Sequence, residues 1–123
     1  MGNRVYLVED STLLRNRIKI AIEDTGSIVV GSSASARIAI GEIVDLRPDI
    51  AVIDLQLEQG SGWDVLDQVA THCSNIMVLT NFGSDLFRSE AERRGVTHFF
   101  DKTNEFEQFL LTLQKLSDKA DKG

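Results

Sequence analysis

Five polar positions carry the chemistry that this sequence could perform: the acidic pair Glu9-Asp10, then Asp54, Thr80 and Lys102. Each ends or follows a short apolar run, and the clearest is Ile50-Ala51-Val52-Ile53 ahead of Asp54. A run of this kind, rich in Ile and Val, fits a strand buried on both faces of a parallel sheet. Polar groups at the carboxyl ends of such strands open onto one edge, where α/β sheets collect their ligands. Three carboxylates gathered there repel, since unit charges about 4 Å apart interact by roughly 4 kcal/mol at an effective dielectric near 20. Lys102 offsets one charge. A hard divalent cation with oxygen ligands would offset the rest, and Mg²⁺ suits the site because it keeps waters that a phosphate can displace.

Each of these residues also has a plain structural role. Asp54 could cap the loop that follows it, and Glu9-Asp10 before Ser11 could be helix N-terminal acids favoured by the macrodipole. Thr80 could bond local backbone, and Lys102 could be a solvated surface lysine, as most lysines are. Taken singly, those roles suffice. The case for a shared site is that all the placements fall at successive strand ends.

The elements that must position them follow from local patterning. Arg4 to Val8 reads as a strand, and Ser11 as the N-cap of a helix with Leu13, Leu14, Ile18, Ala21 and Ile22 at helical spacing, ended by Gly26. Ile28-Val29-Val30 is a second strand. A second helix from about Ser35 to Leu46 offers Ile38, Ala39, Ile43, Val44 and Leu46 for burial, and Pro48 stops it. After the central strand, Gly60-Ser61-Gly62 is loop, and Ser61 caps a helix carrying Trp63, Val65, Leu66 and Val69. Ile76 to Thr80 is the fourth strand, followed by a charged helix from about Ser84 to Arg94 that Gly95 closes. Val96 to Phe100 is the fifth. The last helix starts near Asn104 and uses Phe106, Phe109, Leu110, Leu113 and Leu116, with a polar tail from Ser117 expected to fray. Strand and helix thus alternate throughout, which predicts an α/β fold, a parallel sheet covered by helices on both faces with right-handed crossovers.

Composition narrows the function classes. The 123 residues are read as one domain over residues 1–117 with a frayed tail over 118–123, long enough to bury a core without staples. A net charge of −6 disfavours a nucleic-acid surface as the main function, since phosphate backbones select basic faces. Cys73 stands alone and cannot form an internal disulfide. No apolar stretch approaches the length of a membrane span, and the apolar residues before Glu9 are too few for a signal peptide. A cytoplasmic location is the default expectation.

The chain resembles the receiver domain of two-component response regulators. The likeness is carried by Val5-Tyr6-Leu7-Val8-Glu9-Asp10-Ser11, Arg47-Pro48-Asp49-Ile50-Ala51-Val52-Ile53-Asp54-Leu55, Val78-Leu79-Thr80 and Gly95-Val96-Thr97-His98-Phe99-Phe100-Asp101-Lys102, and it runs from about Val5 to Leu116. It implies a flavodoxin-like doubly wound five-stranded sheet of order 2-1-3-4-5, an order for which a receiver is itself a stock example. By the same resemblance Asp54 is the phosphoacceptor, taking the phosphoryl group from a phosphohistidine on a sensor histidine kinase or phosphotransfer protein. Asp10 is the direct Mg²⁺ ligand of the acidic pair and Glu9 acts through water. Asp54 and the backbone carbonyl of Gln56 complete the protein ligands. Thr80 and Lys102 hold phosphoryl oxygens, and Phe99 occupies the aromatic switch position. Phosphoryl transfer depends on positioning and charge neutralisation, which this set supplies.

The resemblance implies a signalling switch rather than an enzyme with an external substrate, catalysing only its own phosphoryl transfer and dephosphorylation. Its output would pass through the face of the fourth helix, fifth strand and fifth helix to an effector or a second receiver. No direct nucleic-acid contact and no membrane insertion are expected. A phosphorylation-independent pseudo-receiver and a Mg²⁺-dependent aspartyl-phosphate phosphatase are the alternatives. Departures from the family pattern are Glu58-Gln59 where proline is common, Asn81 in place of a small residue, and Thr103 where proline, often cis, follows the lysine. If the Thr80 and Lys102 hydrogen bonds arise only on phosphorylation, at roughly 1.5–3 kcal/mol each, they approach the 5.5 kcal/mol or so that reverses a two-state equilibrium.

Overall fold

The computed structural model describes residues 2–81 and 85–122, with side chains to residue 118. The sheet contains β1 (Arg4–Val8), β2 (Ile28–Ser33), β3 (Ile50–Ile53), β4 (Asn75–Thr80) and β5 (His98–Asp101). The helices are α1 (Thr12–Asp24), α2 (Ala36–Leu46), α3 (Gly62–Val69), α4 (Asp85–Arg93) and α5 (Phe106–Lys122). All strand pairs are parallel and the order is β2-β1-β3-β4-β5. This is the flavodoxin-like doubly wound sheet.

Alternation along each strand divides the core in two. Tyr6, Val8, Ala51, Ile53, Ile76 and Val78 face α2, α3 and α4, where Ala39, Ile43, Val65, Leu66 and Ala91 meet them. Val5, Leu7, Ile50, Val52, Met77 and Leu79 face α1 and α5, against Ile18, Ile22, Phe109 and Leu113. Because β1, β3 and β4 are internal to the sheet, both of their faces are dry and their sequences read as unbroken apolar runs. The register then aligns Val8 with Ile53, Ile53 with Val78, and Thr80 with Asp101. The polar residues at the strand ends are brought level by that register.

Several boundaries differ from the sequence reading, each for a local reason. The fifth strand begins at His98 rather than Val96. Gly95, at φ 93°, ends α4 by donating its N–H to the Glu92 carbonyl, while the Val96 N–H reaches the Ala91 carbonyl. That is the Schellman pattern, and it consumes Val96 as cap. The last helix begins at Phe106 because the Asp101 carboxylate accepts the N–H groups of Thr103 and Asn104 at 2.7 and 3.1 Å, holding a turn there. It continues to Lys122 instead of ending at Leu116, and Ser117 is buried beside Gly2 and Gly26. The expected start of α4 at Ser84 lies outside the described residues.

Not every apolar residue at helical spacing reaches the core. Leu13 and Ile38 are exposed, at 61% and 55%, and Leu14 is partly so. On α1 the buried pair is Ile18 and Ile22, one turn apart, while Leu13 and Leu14 stand in the first turn near the sheet's carboxyl edge. On α2 the stripe is Ala36, Ala39 and Ile43, which turns Ile38 outward. Among the described residues no helix is long and apolar enough to cross a membrane.

Candidate phosphoryl and metal site

Asp54 follows β3 directly, and its N–H donates to the Val8 carbonyl at 3.1 Å, which ties it to the end of β1. Its side chain is buried, and among the described residues its carboxylate has three donors. Thr80 Oγ1 donates to Oδ1 at 2.9 Å, the Gln56 N–H donates to the same oxygen at 3.1 Å, and Lys102 Nζ donates to Oδ2 at 2.6 Å. Lys102 also donates to Glu9 Oε1. The second oxygen of Glu9 accepts the Ser11 N–H at 3.0 Å, and the Glu9 carbonyl accepts from Arg15 Nη1 at 2.8 Å. Each contact to Asp54 except that of Gln56 joins residues far apart in the chain.

Lys102 therefore clamps two of the three carboxylates. Burial alone would pull its ammonium down, but the hydrogen bonds and charges of Asp54 and Glu9 outweigh burial and hold it above the usual lysine range. Burial pushes Glu9 up, opposed by the Lys102 hydrogen bond and the Ser11 N–H. The two effects meet in an ion pair almost closed to solvent. Asp10 is half-buried, and among the described residues no hydrogen bond to its carboxylate is found.

Ligand atoms of Glu9, Asp10 and Asp54 lie within 4.8 Å of one another. An all-oxygen donor set of this charge fits a hard divalent cation of the Mg²⁺ kind. The carboxylates border a cavity of about 140 Å³ that Gln56, Asn81 and Lys102 also line. A neighbouring hollow of about 250 Å³ shares Leu14 and Lys102 with it and is otherwise lined by Arg17, Ile18, Ala21 and Phe106.

Of the residues singled out in the sequence, Glu9, Asp10, Asp54, Gln56 and Lys102 line this cavity, while Thr80 is fully buried and joins them through its bond to Asp54. Phe99 lies outside its lining, buried on the side of α4, where Arg88 Cζ stands 4.7 Å from its ring centroid. One expectation needs correcting. Thr80 and Lys102 already donate to Asp54, so their bonds are not created by a phosphoryl group. For a switch driven by phosphorylation, only the difference between binding a carboxylate and binding a phosphoryl oxygen would remain. Among the described residues no peptide bond is cis, Lys102–Thr103 included.

One contributor to the site is not among the polar residues that the sequence singles out. Gly62, read as loop, is the first residue of α3, and a Cβ on it would fall 2.0 Å from the Asp54 carbonyl oxygen. Only glycine permits this approach of α3 to the backbone of Asp54. The pair of glycines after Asp54 was the available signal. Arg88 lies outside the site, on the charged helix α4, and no local signal distinguishes it there.

Comparison with known proteins agrees with this geometry. The family model for the response regulator receiver domain matches residues 5–114. The chain belongs to the response regulator receiver family. It is 28% identical over 119 residues to the chemotaxis protein CheY of Thermotoga maritima, covering 95% of this chain and 99% of that one. It is 30% identical over 124 residues to the transcriptional regulatory protein BtsR of Salmonella typhi, covering 97% of this chain and 50% of that protein. The receiver thus spans nearly all of CheY but half the length of that transcriptional regulator. Its fold is that of the response regulator domain of Thermotoga maritima CheB, with a TM-score of 0.81 at 22% identity over 94% of this chain and 92% of that one.

Proposed function

We propose that this receiver is a switch operated by Mg²⁺-dependent phosphorylation of Asp54. The observation that carries the reading is the set of donors already gathered on one carboxylate: Thr80 and Gln56 on Oδ1, Lys102 on Oδ2. In the reaction an Asp54 carboxylate oxygen attacks the phosphorus of a phosphohistidine on a sensor histidine kinase or phosphotransfer protein. The P–N bond breaks, the imidazole keeps the electron pair, and an acyl phosphate forms. Thr80 and Lys102 then donate to phosphoryl oxygens, and Lys102 neutralises part of the charge.

Asp10, Asp54 and the Gln56 carbonyl would hold the cation directly, with Glu9 behind a water, as the family resemblance implies; ligand atoms of the three carboxylates lie within 4.8 Å of one another. Magnesium bound there supplies the remaining positive charge against which a phosphoryl group binds. The donor of the phosphoryl group must approach over the rim beside Asp54. Exposed Leu13 and the hollow around Leu14 provide an apolar seat for it at that rim. Output would leave through α4, β5 and α5 to an effector or a second receiver.

Acetyl phosphate with Mg²⁺ tests the reading. A stable mass gain of one phosphoryl group, absent in Asp54→Asn, is the expected result. No mass gain in the wild type would favour a pseudo-receiver. Rapid turnover of phosphate esters would favour a phosphatase.

A further inference from the structure

The guanidinium of Arg88 makes three contacts at once, none of them with the site. Nη1 donates to the Phe99 carbonyl at 2.9 Å, Nη2 donates to Glu105 Oε1 at 2.7 Å, and Cζ stands over the Phe99 ring, 4.7 Å from its centroid. Phe99 is on β5, at the sheet edge, so a carbonyl directed away from β4 has no strand partner and needs another donor. Glu105 Oε1 accepts in addition the N–H of Asp101 at 3.0 Å. Asp101 stands opposite Thr80 in the sheet, and the next residue, Lys102, donates its N–H to the Thr80 carbonyl at 2.9 Å. Arg88 is therefore linked through one carboxylate and one peptide to both side chains that grip Asp54.

We propose that Arg88 is a positioning residue for the phosphoryl site: from α4 it keeps Phe99 buried and, through Glu105, sets the turn that carries Lys102. This rests on Asp54 as phosphoacceptor and adds how the outer face regulates it. The direction of the effect follows from what occurs together. Phe99 is buried under Arg88 in the same structure in which Thr80 and Lys102 already reach Asp54. The fork thus favours the arrangement ready to receive a phosphoryl group. Releasing it lowers the population of that arrangement, and apparent affinity falls with the competent fraction. A lysine cannot substitute, because the role needs a planar fork that donates in two directions while covering a ring. Conversely, a partner that engages Arg88 on α4 would weaken phosphoryl retention on Asp54, by reciprocity of coupling.

The test uses the full chain with Mg²⁺ and beryllofluoride as phosphoryl mimic. Affinity is read by calorimetry and the Phe99 ring by NMR, with folding checked from amide spectra. Arg88→Ala should weaken beryllofluoride binding about five- to tenfold and shift the Phe99 ring signals before any ligand is added. Arg88→Lys should fall close to Arg88→Ala, and Glu105→Gln should weaken binding by roughly two- to threefold. The double variant Arg88→Ala/Glu105→Gln should bind no more weakly than Arg88→Ala alone, because the two act in one chain. Saturating beryllofluoride should restore the Phe99 signals. A purely structural staple would lower the melting temperature and leave affinity and ring signals at wild-type values, which overturns the proposal. If Arg88→Ala does not fold, Arg88→Lys and Glu105→Gln decide by the same readouts. Failure of the wild type to bind beryllofluoride would instead remove the phosphoryl reading, and the ligand-free Phe99 signals of the variants would still judge the Arg88 contact.

Discussion

Thr80 Oγ1 donates to Asp54 Oδ1 at 2.9 Å, from the end of one strand to the residue that follows its neighbour. The hydroxyl is turned toward the Asp54 carboxylate. Thr80→Ala removes one donor from a buried carboxylate and should cost about 1–3 kcal/mol of stability. Lys102 and the Gln56 N–H remain, so acetyl phosphate labelling should persist. Amide NMR with beryllofluoride should then show the wild-type changes around Asp54 but not those across α4, β5 and α5. Retention of the full wild-type pattern would break the link from Thr80 to that face.

Asp10 is the carboxylate for which no donor is found among the described residues, while Lys102 occupies Glu9 and Asp54. Mg²⁺ should raise the melting temperature of the wild type by binding the folded state alone, by about 2.7 kcal/mol at one hundred times the dissociation constant. Asp10→Ala should lose most of that response. Without metal, relief of repulsion should leave the variant as stable as wild type or more so. Thermal melts with and without Mg²⁺ measure both, and an undiminished response in the variant would place the cation elsewhere.

The backbone of α3 at Gly62 lies against the Asp54 carbonyl, leaving no space for a methyl group. Gly62→Ala should displace either α3 or the loop at Asp54, at about 1–3 kcal/mol from overpacking. Since the displaced backbone carries Asp54 itself, the acetyl phosphate labelling rate should fall together with the denaturation midpoint. Gly41, whose added Cβ would meet nothing within 4 Å, is the control. Gly41→Ala should leave labelling unchanged and slightly stabilise α2.

His98, at the start of β5, has its pKa lowered by burial. The unfolded chain then binds the proton more readily, so between the folded value and about 6.5 stability rises with pH. The favourable contribution is complete above about 6.5 and is lost as pH falls through the folded value. His98→Gln should flatten the stability curve in that window, and NMR titration of the ring should show a midpoint below that of a free histidine. A midpoint at or above the free value would contradict the sign.

Local chemistry determined the strand ends. Apolar runs, serine caps and the glycine after α4 act over a few residues, so Glu9, Asp10, Asp54, Thr80 and Lys102 were legible as a set before any contact was known. The sheet order came with the family resemblance rather than from those runs. Tertiary structure alone decided how the set is wired. Lys102 bridges Glu9 and Asp54, and Thr80 is bonded to Asp54 in advance, because parallel register brings level residues that lie far apart in the chain. The same limit explains Leu13 and Leu14, whose helical spacing does not reveal that the first turn of α1 stands at the sheet's edge. It explains the last helix, prolonged where Ser117 is buried against the N-terminal segment. Arg88 is the extreme case: its three contacts reach residues 11 and 17 positions away, and no periodicity within α4 encodes them.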